Sequence, residues 1–129
     1  MVEGEPLVEF AAMMRQLRAE CAWKRGQTHE SLVPFLHEEA DEVAEAIAEG
    51  DPEHLREELG DLLLQVYFHA AIAEEAGQFT MDDVVRGLAD KMRRRNPHVF
   101  GTAEQRAEAA SLSAEEVSER WDAIKRTGG

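Results

Sequence analysis

Two long runs of apolar residues at helical spacing, one on each side of Gly50-Asp51-Pro52, constrain this chain more than anything else in it. The tripeptide reads as a compact stop, turn and start. Glycine ends one helix, aspartate caps the next, and proline fits the first helical position. Helices joined so tightly lie side by side and antiparallel. The expected spans are about 31–49 and about 52–76. Thr28 or Ser31 would cap the first span, with Pro34 in its first turn, and Gly77 would supply a left-handed end to the second.

Helical signals also cover most of the remainder. Leu7, Phe10, Met14 and Leu17 follow 3–4 spacing in a helix expected over 5–21, with Pro6 in its first turn. A short polar loop, 22–29, should follow it. Thr80 would cap a further helix running to about Arg95, with Val84, Val85, Leu88 and Met92 as its core stripe. Asn96-Pro97-His98-Val99-Phe100-Gly101 should break that helix. A polar, alanine-rich stretch leads to Ser113-Ala114-Glu115-Glu116, a capping box that opens a last helix to about Arg126. No segment alternates with period two, so the chain is expected to be all-α. Four main helices with short connections predict a bundle, one domain over residues 1–129, with a core completed by a second subunit.

The acids in the central pair of helices are placed wrongly for solvated faces. At about 100° per residue, with Glu38 at zero, Phe35, Ala46, Leu32, Val43, Leu36 and Ile47 fill an arc from roughly 60° to 180°. Glu42 falls near 40° and Glu39 near 100° in that projection, at or inside the stripe that should be buried. In the next helix Leu62, Leu55, Val66, Leu59 and Leu63 cover roughly 40° to 140° from Glu58, with Asp61 near −60°. An antiparallel pair would bring these carboxylates to one seam. Like charges about 4 Å apart repel by roughly 4 kcal/mol at an effective dielectric near 20. The arrangement therefore needs cations. Glu45, Glu49, Glu53 and Glu57 read as ordinary solvated faces.

The formal charge of −13 argues against a general nucleic-acid or membrane surface. Cys21 is the only cysteine, which excludes an internal disulfide and fits a reducing cytoplasm. The first residues lack a basic segment followed by an apolar one, so no signal peptide is expected. No apolar run approaches the roughly 18 residues of a membrane span.

An all-carboxylate site selects hard cations, Mg²⁺ first with Mn²⁺ able to substitute, rather than zinc. A ferritin-like di-iron bundle would need Glu-x-x-His on two helices, and no Glu here has a His three residues later. Carboxylate-held Mg²⁺ keeps waters and bridges to phosphates, so phosphoryl chemistry is the natural inference. A phosphate ligand also wants fixed positive charge. Lys91-Met92-Arg93-Arg94-Arg95 is the densest basic cluster, and it exceeds what helix C-termini ordinarily attract. Trp23 and Trp121, the two tryptophans, are each either a ring for stacking on a base or an amphipathic residue at the core edge.

Taken in order, several segments resemble the MazG nucleoside triphosphate pyrophosphohydrolases over about residues 7–125. They are Cys21-Ala22-Trp23, Gln27-Thr28-His29-Glu30-Ser31-Leu32, Glu38-Glu39-x-x-Glu42, Glu57-Glu58-Leu59-Gly60-Asp61 continuing to Val66, and Pro97-His98-Val99-Phe100-Gly101. The resemblance implies an all-α pyrophosphatase fold of the four-helix-bundle type, completed by dimerisation. It implies Mg²⁺-dependent cleavage of nucleoside triphosphates to monophosphate and pyrophosphate in the cytoplasm, by a homodimer or a dimer of dimers. Glu39, Glu42, Glu58 and Asp61 would be metal ligands, and Glu38 a further ligand or the base that orients water. Lys91, Arg94 and Arg95 would contact phosphates and Trp121 the nucleotide, with Trp23 in the family's loop. The family commonly has Cys-Pro-Trp-Asp where this chain has Cys21-Ala22-Trp23-Lys24, and His where it has Asn96; loop shape and base preference are affected, not the acidic set. Rival readings are a dUTP- or phosphoribosyl-ATP-specific pyrophosphatase of the same fold, or a non-catalytic helical dimerisation module such as a toxin–antitoxin partner.

Overall fold

The computed structural model describes residues 5–128. Among them are eight helices and no strand: α1 (Glu5–Glu20), α2 (Ala22–Arg25), α3 (His29–Glu49), α4 (Pro52–Glu75), α5 (Met81–Arg95), α6 (Pro97–Phe100), α7 (Ala103–Ala109) and α8 (Ala114–Arg126). The all-α expectation holds. No helix among the described residues is long and apolar enough to cross a membrane. The chain forms two compact units, one ending at Met81 and one beginning at Asp82.

In the first unit α3 and α4 pack against each other, and α1 packs on α4. The turn between α3 and α4 is the one its sequence dictates. Gly50 takes φ 75°, where a side chain would be strained, and its N–H returns to the carbonyls of Ala46 and Ile47. The Asp51 side chain accepts from the Glu53 N–H, and Pro52 opens α4. At the far end Gly77 is left-handed, as expected, and Gln78 N–H reaches the Ala73 carbonyl to close the helix. Met14, Leu32, Tyr67, Phe68 and Ala71 form the buried core, with Phe10, Leu17, Leu64 and Met81 around it. Phe10 meets Tyr67 edge to face at 5.0 Å.

Two expectations for this unit need correction. Residues 22–29 are not a plain loop, since α2 occupies Ala22–Arg25. The buried Arg18 guanidinium supplies the reason: it donates to the carbonyls of Lys24, Arg25 and Gln27 while pairing with Glu75 at 2.7 Å. Carbonyls that would otherwise need water are thereby gathered around one side chain. Also, of the two expected caps it is Thr28 that serves, in a capping box with Ser31, so α3 starts at His29, two residues before the expected span. Pro34 therefore lies in the second turn, where its ring removes one bond to the exposed Glu30.

In the second unit α5 ends at Arg95, as expected, but none of its residues is buried. Val85 and Leu88 of the expected core stripe are more than half exposed. The break at Asn96 contains one helical turn, α6, and the alanine-rich stretch contains α7, opened by a Thr102–Gln105 capping box. Ser113 and Glu116 make the expected box at α8.

Candidate metal centre

Glu39 lies eleven residues before Gly50 and Asp61 eleven after it. In an antiparallel pair both stand about 16 Å up their helices from the turn, so they face each other, with Glu58 one turn nearer on α4. Carboxylate oxygens of Glu39, Glu58 and Asp61 indeed lie within 4.8 Å of one another. Glu39 and Glu58 are partly buried and Asp61 is exposed. Burial and then the charges of Asp61, Glu58, Glu38 and Glu42 hold the Glu39 carboxyl above the usual carboxylate range. Among the described residues, no ion pair with Lys or Arg reaches Glu39, Glu42, Glu58 or Asp61.

This donor set fits a hard divalent cation. All three donors are carboxylate oxygens, the ligands Mg²⁺ and Mn²⁺ prefer. Carboxylate oxygens within 4.8 Å of one another could be gathered on one small cation by side-chain rotation. Glu42 and Glu38 lie outside the set of three. Glu42 is partly buried one turn nearer Gly50, and its carboxyl is pushed up first by Glu45, then by Glu58. Glu38 is exposed.

One neighbour of the cluster carries no signal in the local sequence pattern. His54 Nδ1 stands 2.6 Å from Glu49 Oε2, and its Nε2 stands 3.2 Å from Glu58 Oε1. Ionised carboxylates only accept, so this setting favours the charged imidazole, in which both ring nitrogens donate. The hydrogen bond to Glu49 raises its pKa most, against burial, and Glu58 adds to the rise. Glu49, read from the sequence as a solvated acid, is thus a partner of this ring.

Trp23 belongs to the first unit. It is half exposed, meets Phe35 edge to face at 5.9 Å, and has the Lys24 ammonium 5.6 Å from its ring. The other sequence candidates lie in the second unit. Lys91 and Arg95 are partly buried on one face of α5, four residues apart, and Arg94 is exposed. Arg95 and Lys125 flank the Trp121 ring at 5.5 and 5.3 Å. Trp121 and Arg95 line a cavity of about 350 Å³ together with His98, Glu108, Arg120 and Ile124. An apolar pocket with a tryptophan wall and flanking cations has the composition a flat, anion-bearing ligand requires.

Comparison with known proteins fits this geometry. Residues 27–100 match the MazG nucleotide pyrophosphohydrolase domain. The chain is 55% identical over 95 residues to the nucleoside triphosphate pyrophosphohydrolase/pyrophosphatase MazG of Thermotoga maritima, covering 72% of this chain and 37% of that protein. It is 40% identical over 125 residues to the nucleoside triphosphate pyrophosphohydrolase of Escherichia coli, covering 97% of this chain and 45% of that one. The chain thus spans less than half the length of either relative. In three dimensions it is similar to a crystal structure of a mazG-related protein from Thermotoga maritima, with TM-score 0.71 and 27% identity over 95% of this chain and 98% of that one.

Proposed function

The chain belongs to the MazG nucleotide pyrophosphohydrolase family, and from that premise we propose that it hydrolyses nucleoside triphosphates to the monophosphate and pyrophosphate with Mg²⁺. The observation that carries this reading is the convergence of Glu39, Glu58 and Asp61 oxygens from two helices, with no lysine or arginine among the described residues paired to them. Those three acids, joined by Glu42, would hold the metal. When bound, Mg²⁺ supplies positive charge to phosphate oxygens and a means of activating water. Glu38, exposed beside Glu39, would orient the attacking water and take its proton. The α–β phosphoanhydride bond breaks, water adds across it, and pyrophosphate leaves as one unit.

Lys91, Arg94 and Arg95 would bind phosphates shared by every substrate, and Trp121 would stack on the base. Trp23, exposed beside Phe35, is the second candidate ring. Residues 1–129 would work as one catalytic domain on NTPs and dNTPs, damaged ones included, where the nucleotide pool resides in the cytoplasm. We assign a homodimer, supported by apolar side chains left uncovered on α3 and α4: Ile47 is 61% exposed, Leu59 48% and Leu63 42%.

Product analysis on a panel of ATP, GTP, CTP and UTP tests the reading. NMP and pyrophosphate should appear together from the start and only with divalent metal; NDP with orthophosphate would overturn it. On the same panel Lys91→Ala should lower kcat/KM for all four alike, by about 10- to 100-fold, since a charge-assisted contact is worth roughly 1.5–3 kcal/mol. Trp121→Ala should penalise purines and pyrimidines unequally. Equal losses on all four would make Trp121 a packing residue and leave Trp23 as the base-stacking candidate.

A further inference from the structure

We propose that His54 is a positioning residue for the metal centre, holding the Glu58 carboxylate in the orientation that cation binding requires. The inference rests on the ligand assignment of Glu58 above and adds a residue to it. Glu58 has a long side chain and sits among acids that repel it, so without a restraint its carboxylate gains by turning away from Glu39 and Asp61. His54 stands one turn before it on the same face of α4 and donates from Nε2 to Oε1 at 3.2 Å. The carboxylate is thereby held at one oxygen, with its second oxygen outside this hydrogen bond.

The ring is itself held. Glu49, the last residue of α3, accepts from Nδ1 at 2.6 Å across the Gly50 turn. Glu49, His54 and Glu58 therefore form a chain that runs from the interhelical turn to the candidate metal ligands. An ordinary surface ion pair would do none of this, and two exposed side chains would be worth little. Here the Glu58 side chain is only 15% exposed and that of His54 30%. Fixing a ligand's orientation through a hydrogen-bonded neighbour changes metal affinity by about 10- to 100-fold in metal sites generally.

The test is Mn²⁺ binding to the full chain, read from the electron paramagnetic resonance of the free ion, with thermal unfolding of the metal-free protein in parallel. His54→Ala should raise the Mn²⁺ Kd by about 10- to 100-fold. His54→Gln, whose amide can still donate to Glu58, should recover a substantial part of that loss. Glu49→Ala should shift the Kd in the same direction by less. In turnover at limiting Mn²⁺, kcat of His54→Ala should fall with the KM for nucleotide unchanged, and added metal should restore it. A wild-type Kd in His54→Ala overturns the proposal, whatever happens to its melting temperature. Should His54→Ala fail to fold, a wild-type Kd in a folded Glu49→Ala overturns it instead. Glu58→Gln separates the two levels. If it binds Mn²⁺ as the wild type does, the ligand assignment itself falls; if it loses the metal while His54→Ala keeps it, only the role of His54 falls.

Discussion

At Glu39 a carboxylate is partly withdrawn from water and surrounded by the charges of Asp61, Glu58, Glu38 and Glu42. Both effects oppose its ionised form in the metal-free protein. Glu39→Gln keeps the shape and removes the charge, so the metal-free variant should melt higher than wild type, by roughly 2–5 °C if about 1 kcal/mol is relieved. Millimolar Mg²⁺ should stabilise wild type and not this variant, whose activity should fall by orders of magnitude. Thermal unfolding with and without Mg²⁺ checks both halves; a lower melting temperature with the metal response intact would contradict them. The acidic cluster was legible in the sequence because helical projection puts Glu39 inside an apolar stripe. The projection put Glu42 at the edge of that stripe, yet Glu42 stands outside the closest three, nearer Glu45 and Glu58 in its electrostatics. A wheel gives direction around a helix but not the depth at which a partner helix meets it. His54 was not legible at all, because its link to Glu49 spans a turn and both look like solvated polar residues when read one helix at a time.

Among the elements, those with local signals were readable and those ordered by distant contacts were not. Gly50-Asp51-Pro52 and Ser113-x-x-Glu116 act through their own backbone neighbours, and they appear as read. The α7 box at Thr102-x-x-Gln105 has the same signature and was hidden by its alanine-rich setting. By contrast α2 depends on Arg18, whose other partner, Glu75, is 57 residues away. The packing of α4 beside α3 holds a further consequence. His29 and His69 stack almost parallel, with Nδ1 atoms 2.7 Å apart, so one donates to the other and both cannot carry two protons. Burial, then His29, lowers the pKa of His69. A depressed folded-state value means that the unfolded chain takes up the proton first. The stability from His69 is thus fully present above its unfolded value near 6.5 and is lost as pH falls through the lower folded value. Wild type should lose stability relative to His69→Gln as pH falls below about 6.5, measured by urea unfolding at a series of pH values. Parallel pH profiles for the two proteins would refute the linkage.

For the molecule as a whole, a formal charge of −13 makes the approach of a triphosphate unfavourable until cations intervene. In the proposed mechanism the acidic centre of the first unit would answer this by holding metal, and the basic end of α5 in the second by direct pairing. The uncovered apolar residues of α3 and α4 belong to this scale too, because a lone chain of this size leaves them in water. Sedimentation equilibrium should give twice the chain mass of 14.5 kDa, and Ile47→Glu with Leu59→Lys should shift it toward one chain; a wild-type monomer at micromolar concentration would refute the dimer. Whether Glu39, Glu58 and Asp61 hold the proposed cation can be read from anomalous diffraction by crystals of the full chain grown with Mn²⁺ and a non-hydrolysable triphosphate. An anomalous peak should lie within about 2.2 Å of carboxylate oxygens from all three acids; a peak bound elsewhere, with these three carboxylates free of metal, would refute the assignment.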